Sequence, residues 1–309
     1  MNLTNPETIK NLCRKFGIRP SHKNGQNFLI DKNVLDKLIK SANLKPTDTV
    51  LEVGPGFGVI TQELVKHAKK VVAVELDKVL SHYLTQYFQP KAGQPRAENT
   101  DNLEIINKDI LKLDPSSLTC PEQSRGMPHL SRAESRDASP VPSRVEGCLK
   151  VVSNLPYHLT SRFLRNILSS STKPTDMTLI IQKEVAERIC AKPGGDMSLL
   201  SISVQFYGQP KIIEIIKPES FWPSPEVESA IIKIDNIKPR KNIDEKRFFQ
   251  LARIGFSSRR KMLKNNLAVG LEIGDSQVEK ILKSQGLNIK VRAQDLSIEN
   301  WIELSKILV

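Results

Sequence analysis

From about Thr49 the chain alternates short, continuously apolar runs with stretches whose apolar positions recur every three to four residues. "TVLEV" (49–53) predicts a strand, and "VITQELVKHA" (59–68) predicts a helix with Ile60, Leu64 and Ala68 on one side. "KVVAVE" (70–75) is the next strand, followed by a helical stretch to about Phe88. "LEIIN" (103–107), "KVVSN" (150–154), "MTLIIQK" (177–183) and "LSISVQFY" (200–207) continue the strand series. Strands without polar alternation are buried on both faces, so the pattern predicts a mostly parallel α/β sheet with helices on each side. "KIIEII" (211–216) and "SAIIKI" (229–234) have only loop between them, which predicts a closing antiparallel hairpin.

The pattern changes at "DNIKPRKNID" (235–244). Beyond it the periodicity is helical, through Phe248, Leu251 and Ala252, then Val278, Ile281 and Leu282, then Ile302 and Leu304. The expected domains are therefore residues 1–237, the α/β sheet, and residues 238–309, a small helical domain. Residues 115–148 interrupt the first; rich in Ser, Pro, Arg and Glu with isolated apolar residues, they are expected to form a mobile surface insertion.

Charge narrows the partners. The 309 residues carry a net charge of +12, and residues 238–309 hold 15 basic against 8 acidic side chains. Residues 246–264 hold seven Lys or Arg and no acid, and residues 10–30 hold five and again none. Acid-free basic stretches of this kind match a polyanion such as nucleic acid. Cys13, Cys120, Cys148 and Cys190 are scattered without metal-ligand spacing, so no metal site is expected and a reducing, cytoplasmic compartment fits. No apolar leader and no run near 18 apolar residues occurs, so no membrane association is expected. Nothing in the surface pattern calls for more than a monomer.

Candidate chemistry sits at the strand ends. In "LEVGPGFGVIT" (51–61), Gly54, Gly56 and Gly58 let the backbone turn sharply and approach a ligand that a Cβ would block. The spacing is GxGxG rather than the dinucleotide fingerprint GxGxxG. Glu75, 21 residues after Gly54, ends the second strand, where an acid in a doubly wound sheet accepts bonds from ribose hydroxyls. These features imply a ribose-bearing ligand without separating NAD from S-adenosylmethionine. Asp109 ends the third strand, placed to accept from an adenine amino group or to serve only as a turn residue.

"NLPY" (154–157) ends the fourth strand. An exocyclic adenine amine is a poor nucleophile, because its lone pair is delocalised into the ring. A site that accepts both of its N–H bonds, with the Asn154 oxygen and a backbone carbonyl at Leu155 or Pro156, favours a pyramidal nitrogen. Pro156 stiffens the turn, and Tyr157 offers a face on which an extruded base can stack.

Taken together, "GQNFLID" (25–31), "LEVGPGFG" (51–58), "VELD" (74–77), "NLPY", "FWPSPEVESAI" (221–231) and "GFSSRRKMLKNNL" (255–267) resemble the ribosomal RNA adenine N6,N6-dimethyltransferases, in the bacterial small-subunit (16S) branch. The resemblance runs in order along almost the whole chain. It implies a Rossmann-like class I methyltransferase sheet, S-adenosyl-L-methionine as methyl donor, no metal, and a C-terminal RNA-binding domain. It implies as substrate two adjacent adenines in a hairpin loop near the 3′ end of small-subunit rRNA, each methylated twice. Carried over, Asn27 and Leu29 close over the cofactor, Gly54 and Gly56 pass its methionine moiety, Glu75 binds ribose and Asp109 the adenine amine. Asn154 accepts from the target amine, Phe221 is a candidate for stacking the target base, and Arg259, Arg260, Lys261 and Lys264 match a basic helix that contacts rRNA phosphates. Two features depart from the family pattern: the insertion at 115–148 and the "YHLTSR" that follows Pro156.

Rival readings remain at this point. The macrolide-resistance relative acting on large-subunit rRNA shares the fold. A non-enzymatic ribosome-assembly or RNA-binding relative would keep the fold without transfer. A DNA adenine methyltransferase lacks an evident sequence-reading domain here, and a nicotinamide dehydrogenase has no use for "NLPY".

Overall fold

The structure, a computed structural model, describes residues 1–20, 25–89, 100–115 and 148–308. Two compact units divide the chain, residues 1–180 with 216–226 and residues 181–215 with 227–309.

The first unit opens with helix α1 (Pro6–Phe16), the two-residue strand β1 (Phe28–Leu29) and helix α2 (Lys32–Ala42). The core then forms from β2 (Thr49–Val53), α3 (Thr61–His67), β3 (Lys70–Glu75), α4 (Lys78–Phe88), β4 (Leu103–Asn107), β5 (Leu149–Asn154), α5 (Thr160–Ser169) and β6 (Asp176–Gln182). Every residue of β2 is buried, as a central strand with covered faces requires. Asp31 caps α2 and Asp77 caps α4, each accepting from two backbone N–H groups of the first turn. Beneath the sheet, Lys150 at the start of β5 pairs with Asp48 at 3.0 Å and donates to the Asn43 carbonyl at 2.6 Å. Both partners are buried, and the extra backbone bonds are what let a buried ion pair hold.

The remaining elements are α6 (Lys183–Ile189), α7 (Leu199–Gln205), β7 (Gln209–Ile216), β8 (Phe221–Trp222), β9 (Ser229–Asp235), α8 (Glu245–Gly255), α9 (Leu263–Leu271), α10 (Asp275–Ser284) and α11 (Ile298–Leu308). The seven-stranded sheet has the order β4-β3-β2-β5-β6-β9-β7, and β8 pairs separately with β1. The β2–β3, β3–β4, β2–β5 and β5–β6 pairs are parallel. Strand order thus runs outward from β2 to β4 and then resumes with β5 on the other side of β2. In an open α/β sheet the crevice beyond the carboxyl ends at such a reversal is where ligands bind.

In the second unit, the Phe206 ring lies 4.2 Å from Phe248 and 5.2 Å from Phe249, while the Tyr207 hydroxyl donates to Glu245 at 2.7 Å. These contacts tie the end of α7 to α8. The division into units therefore falls differently from the expected boundary at 237/238, since the C-terminal helices group with α6, α7 and β9.

Two further expectations change. "LSISVQFY" is not a strand, because Leu199–Gln205 is helix α7. Its apolar–serine alternation has strand period, but the serines are satisfied in a helix: Ser198 and Ser201 form a capping box, and Ser203 donates to the Leu199 carbonyl. The two last long strands are neighbours as expected, yet the segment between them is not all loop; it carries β8. Of the insertion expected at 115–148, residues 116–147 lie outside the described residues.

Candidate active site

A cavity of about 270 Å³ opens beyond the carboxyl ends of β2, β3 and β5, within the first unit. Its wall includes Asn27 and Leu29, the loop Gly54–Phe57, Glu75 to Asp77, Asp109, Asn154 and Pro156.

The Gly-rich loop follows from local geometry. Gly54 and Gly56 have φ of +65° and +60°, in the left-handed region that side chains resist. A Cβ on Gly56 would also come within 3.0 Å of the Phe28 ring. Gly58, also at positive φ (+85°), is constrained by helix packing too: a Cβ there would meet Phe88 of α4 at 2.6 Å. The helix-packing explanation for a Gly-rich turn thus applies to the third glycine, while the first two shape the cavity.

Glu75 is only 6% exposed. Its carboxylate accepts from the Gly56 N–H at 3.1 Å and from the Asp77 N–H at 2.9 Å. Burial nevertheless holds its acidity weaker than usual, with those backbone bonds opposing. One carboxylate therefore fixes the glycine loop while lining the pocket. Asn107 supports the same corner, donating to the Glu75 carbonyl at 2.8 Å.

Below Glu75 lies Glu52, 1% exposed, which accepts from the Thr61 hydroxyl at 2.6 Å; its other oxygen is buried without a partner. Burial pushes this carboxyl up to about 8, against the Thr61 hydrogen bond. The sequence marks Glu52 only as an acid before the first glycine. Asp109 accepts from the Leu111 N–H at 3.0 Å with one oxygen, at the cavity wall. Exposed Leu76 and half-buried Ile110 flank this part of the wall and offer apolar surface.

At the opposite wall, Leu155 is buried and its N–H bonds the Ile180 carbonyl, which anchors the turn after β5. The Asn154 side-chain N–H₂ donates to the backbone carbonyl of Asn27 at 2.9 Å. That bond turns the amide so that Oδ1 is left as its acceptor. The Pro156 carbonyl is taken by the Leu159 N–H. Asn27 is 8% exposed and its side-chain Oδ1 is buried without a hydrogen-bond partner. An unpaired buried acceptor facing a cavity calls for a donor from a ligand.

The N-terminal wall is held by a clasp. Phe28 pairs with Trp222 and Leu29 with Phe221 in the β1–β8 ladder. Ile30 donates to the Ser220 carbonyl, and the Ser220 hydroxyl donates to Asp31 at 2.9 Å. Sequence reasoning found the residues 25–31 but not their tie to Ser220, which no local pattern reveals.

The other expected site residues are placed as follows. Phe221 is 2% exposed and packed behind β1, not among the cavity's lining residues, so here it is a core side chain rather than a stacking face. Tyr157 begins a short 3-10 turn and is half-buried beside the cavity rather than in its wall. Arg259, Arg260 and Lys261 are exposed, but on the turn between α8 and α9, not on a helix. That turn is braced by buried Asn266, which donates to the carbonyls of Gly255 at 2.6 Å and Ser258 at 3.0 Å. Lys264 is on α9 and paired with Glu279 at 2.5 Å. Among the described residues no group of acids, His or Cys could hold a metal, and no helix is long and apolar enough to cross a membrane.

A parallel sheet that reverses order at β2 and β5, a GxGxG turn, an acid ending the second strand and a polar turn ending the fourth define a class I, S-adenosylmethionine-dependent methyltransferase. The chain matches the family described as ribosomal RNA adenine dimethylase over residues 18–309, and it belongs to that family. It is 40% identical to a Dehalococcoides mccartyi protein named ribosomal RNA small subunit methyltransferase A, over 96% of this chain and 90% of the relative. A Clostridium acetobutylicum protein of the same name is 34% identical, over 96% of each chain. Two solved structures share the fold: a dimethyladenosine transferase from Plasmodium falciparum (TM-score 0.65, 22% identity, 90% of this chain and 97% of that one) and the 23S rRNA methyltransferase ErmE (0.63, 23%, 91% and 99%). The protein is an S-adenosylmethionine-dependent rRNA adenine dimethyltransferase, and rRNA is its substrate.

Proposed function

We propose that the chain dimethylates two adjacent adenines in a hairpin loop near the 3′ end of small-subunit (16S) rRNA, as a monomer in the cytoplasm, within the small subunit or its precursor. The relatives named for small-subunit methylation support the choice of subunit, and residue placement supports the chemistry.

The cavity fits the donor on the structure's own terms: an unpaired buried Asn27 oxygen, two glycines at positive φ, and a carboxylate at its floor. When bound, S-adenosylmethionine supplies a methyl group already activated on a sulfonium. Asn27 Oδ1 accepts from the donor's ammonium, and Leu29 closes the same wall. Gly54 and Gly56 leave room along the methionine moiety. Each Glu75 oxygen spends one lone pair on a backbone N–H and retains another for a ribose hydroxyl. The second oxygen of Asp109 accepts from the adenine amine, with Leu76 and Ile110 as apolar flanks.

Asn154 carries the proposal. Its bond to the Asn27 carbonyl fixes the amide, so Oδ1 accepts one N–H of the target amine. The Leu155 carbonyl, adjacent in the same turn, accepts the other. Two acceptors below the ring plane draw electron density onto nitrogen, and no general base is needed before attack because the amine is neutral. After transfer the cationic nitrogen sheds its proton to water. Pro156 keeps the turn rigid, and Tyr157 stacks on the extruded base. Arg259, Arg260 and Lys261 contact rRNA phosphates, and Lys264 joins them where it exchanges Glu279 for phosphate.

The test uses purified protein, labelled S-adenosylmethionine and small ribosomal subunits lacking adenine dimethylation, with the digested RNA analysed by mass spectrometry. Two adjacent dimethyladenosines are expected. A folded, cofactor-binding protein that transfers nothing to these subunits would instead be a ribosome-assembly relative that kept the fold.

A further inference from the structure

A second concavity in the first unit is lined by Lys10, Arg14, Arg19, Pro20 and Trp222. It shares no lining residue with the active-site cavity and has the opposite character, with three cations and no carboxylate in its wall. We infer that this groove binds a nucleotide of the rRNA outside the target, with a phosphate on the arginines and a base against Trp222. The inference rests on the reading of rRNA as substrate and adds a second contact surface to it.

Local structure assembles the groove. Lys10 and Arg14 stand four residues apart, so they share one face of α1. The helix ends at Gly17, φ +65°, where the Gly17 and Ile18 N–H groups return to the carbonyls of Arg14 and Cys13. That reversal brings Arg19 into the same wall as Arg14. Arg14 and Arg19 are exposed. Lys10 is paired with Glu7 at 2.7 Å, whereas Arg14 donates to the neutral Asn11 side chain at 2.7 Å and so keeps its charge for the groove together with Arg19.

Trp222 gives the groove its second component. Neighbouring residues of a strand face opposite ways, and in β8 Phe221 turns into the core while Trp222 is half-buried and lines the groove. Cations beside one aromatic face are the components of single-stranded RNA contact: phosphates taken by Arg, a base stacked on the ring. A lone phosphate would have no need of the indole, and an anionic lipid surface would meet a concavity rather than a protruding apolar face. The position also has a consequence. Trp222 is paired in the ladder with Phe28, next to Asn27, whose carbonyl orients Asn154. RNA seated on Trp222 braces the strand that holds the catalytic amide.

Intrinsic fluorescence of the protein reads this directly. The chain has two tryptophans, and Trp301 is fully buried in the other unit. Titration with a small-subunit rRNA fragment containing the methylated hairpin should quench emission in the wild type and leave Trp222→Phe nearly unchanged. Arg14→Gln with Arg19→Gln should weaken RNA binding roughly tenfold near 0.1 M salt and lower the salt slope by about 1.4, the share of two phosphate contacts. S-adenosylmethionine affinity should stay within about twofold in these variants, which shows that they fold. Unchanged RNA affinity and salt slope in the double variant would overturn the inference, as would a loss confined to binding of anionic lipid vesicles. RNA binding is read independently of transfer, so absent methylation with intact quenching would count against the rRNA-methylation reading alone.

Discussion

The cavity wall and the basic surfaces solve opposite problems with opposite means. At the wall, Glu75, Asn27 and Asn154 are buried or half-buried; the Glu75 and Asn154 side chains are held by bonds to backbone before any ligand arrives, and Asn27 keeps a buried, unpaired oxygen. On the turn between α8 and α9, Arg259, Arg260 and Lys261 stand in solvent, braced only through the backbone by Asn266. A preorganised polar group in a dry pocket contributes a large, geometry-dependent energy. An exposed cation contributes a small one that salt screens. Single substitutions should therefore be severe at the wall and graded on the surface.

The sharpest challenge to that contrast is Asn154→Ala. Losing the oriented acceptor should lower kcat by roughly 10²–10³, the cost of deleting one preorganised hydrogen bond at a reacting centre. Calorimetry should show S-adenosylmethionine affinity weakened at most modestly, since the contacts proposed for Glu75, Asp109 and Asn27 remain. Near-normal turnover would mean that the wall does not act through this amide.

Glu52, two residues before Gly54 and bonded to Thr61 rather than lining the cavity, gives a test by pH. Its carboxyl is raised from an ordinary value near 4.5 to about 8 by burial, so between those values the folded chain holds a proton that the unfolded chain has released. Stability should therefore fall as pH rises from about 4.5 to about 8, by up to about 1.4 kcal/mol per unit from this group. Glu52→Gln keeps an acceptor for the Thr61 hydroxyl and cannot ionise. Its melting temperature should drop less than the wild type's between pH 6 and 8. Parallel curves would show that Glu52 is already charged in the folded state.

What the sequence discloses follows the same divide. Strands 49–53 and 70–75 match the expected bounds because central parallel strands are continuous apolar runs with no competing period, and 103–107 matches at the sheet's edge, where it pairs with β3 alone. Glu75, Asp109 and Asn154 were findable because strand ends at a sheet reversal converge whatever the intervening sequence. Helix α7 was not, since "LSISV" has strand alternation and only the Ser198–Ser201 box and the Ser203 back-bond reveal the helix. The clasp of Ser220 to Asp31 joins residues 189 apart, beyond any local pattern. Phe221 departs from its expected role for a geometric reason: which of two adjacent aromatics faces the core depends on the register with β1.

On the surface side, replacing Arg259, Arg260 and Lys261 together by Gln should weaken RNA binding without touching cofactor affinity. Three lost phosphate contacts should lower the salt slope by about 2, at roughly 0.7 per contact for single-stranded RNA. Each single change should give about a third of that, in contrast to the severe loss expected from the single change at Asn154. An unchanged slope would move the RNA surface away from the α8–α9 turn.

The smallest effect is expected from deleting residues 116–147. The segment sits between Asp109 and Asn154, two residues of the wall, so its length bears on whether the wall closes correctly. Yet the wall's ends are fixed independently of it: β4 pairs with β3 through five residues, and β5 pairs with both β2 and β6. Closing a longer loop costs only about 0.6 kcal/mol for each doubling of length, and shortening it returns a similarly small amount. Methyl transfer to rRNA should stay within about twofold, with cofactor affinity unchanged. A folded deletion variant that binds cofactor but methylates poorly would place a function in this segment and make the wall depend on residues that its hydrogen bonds do not include.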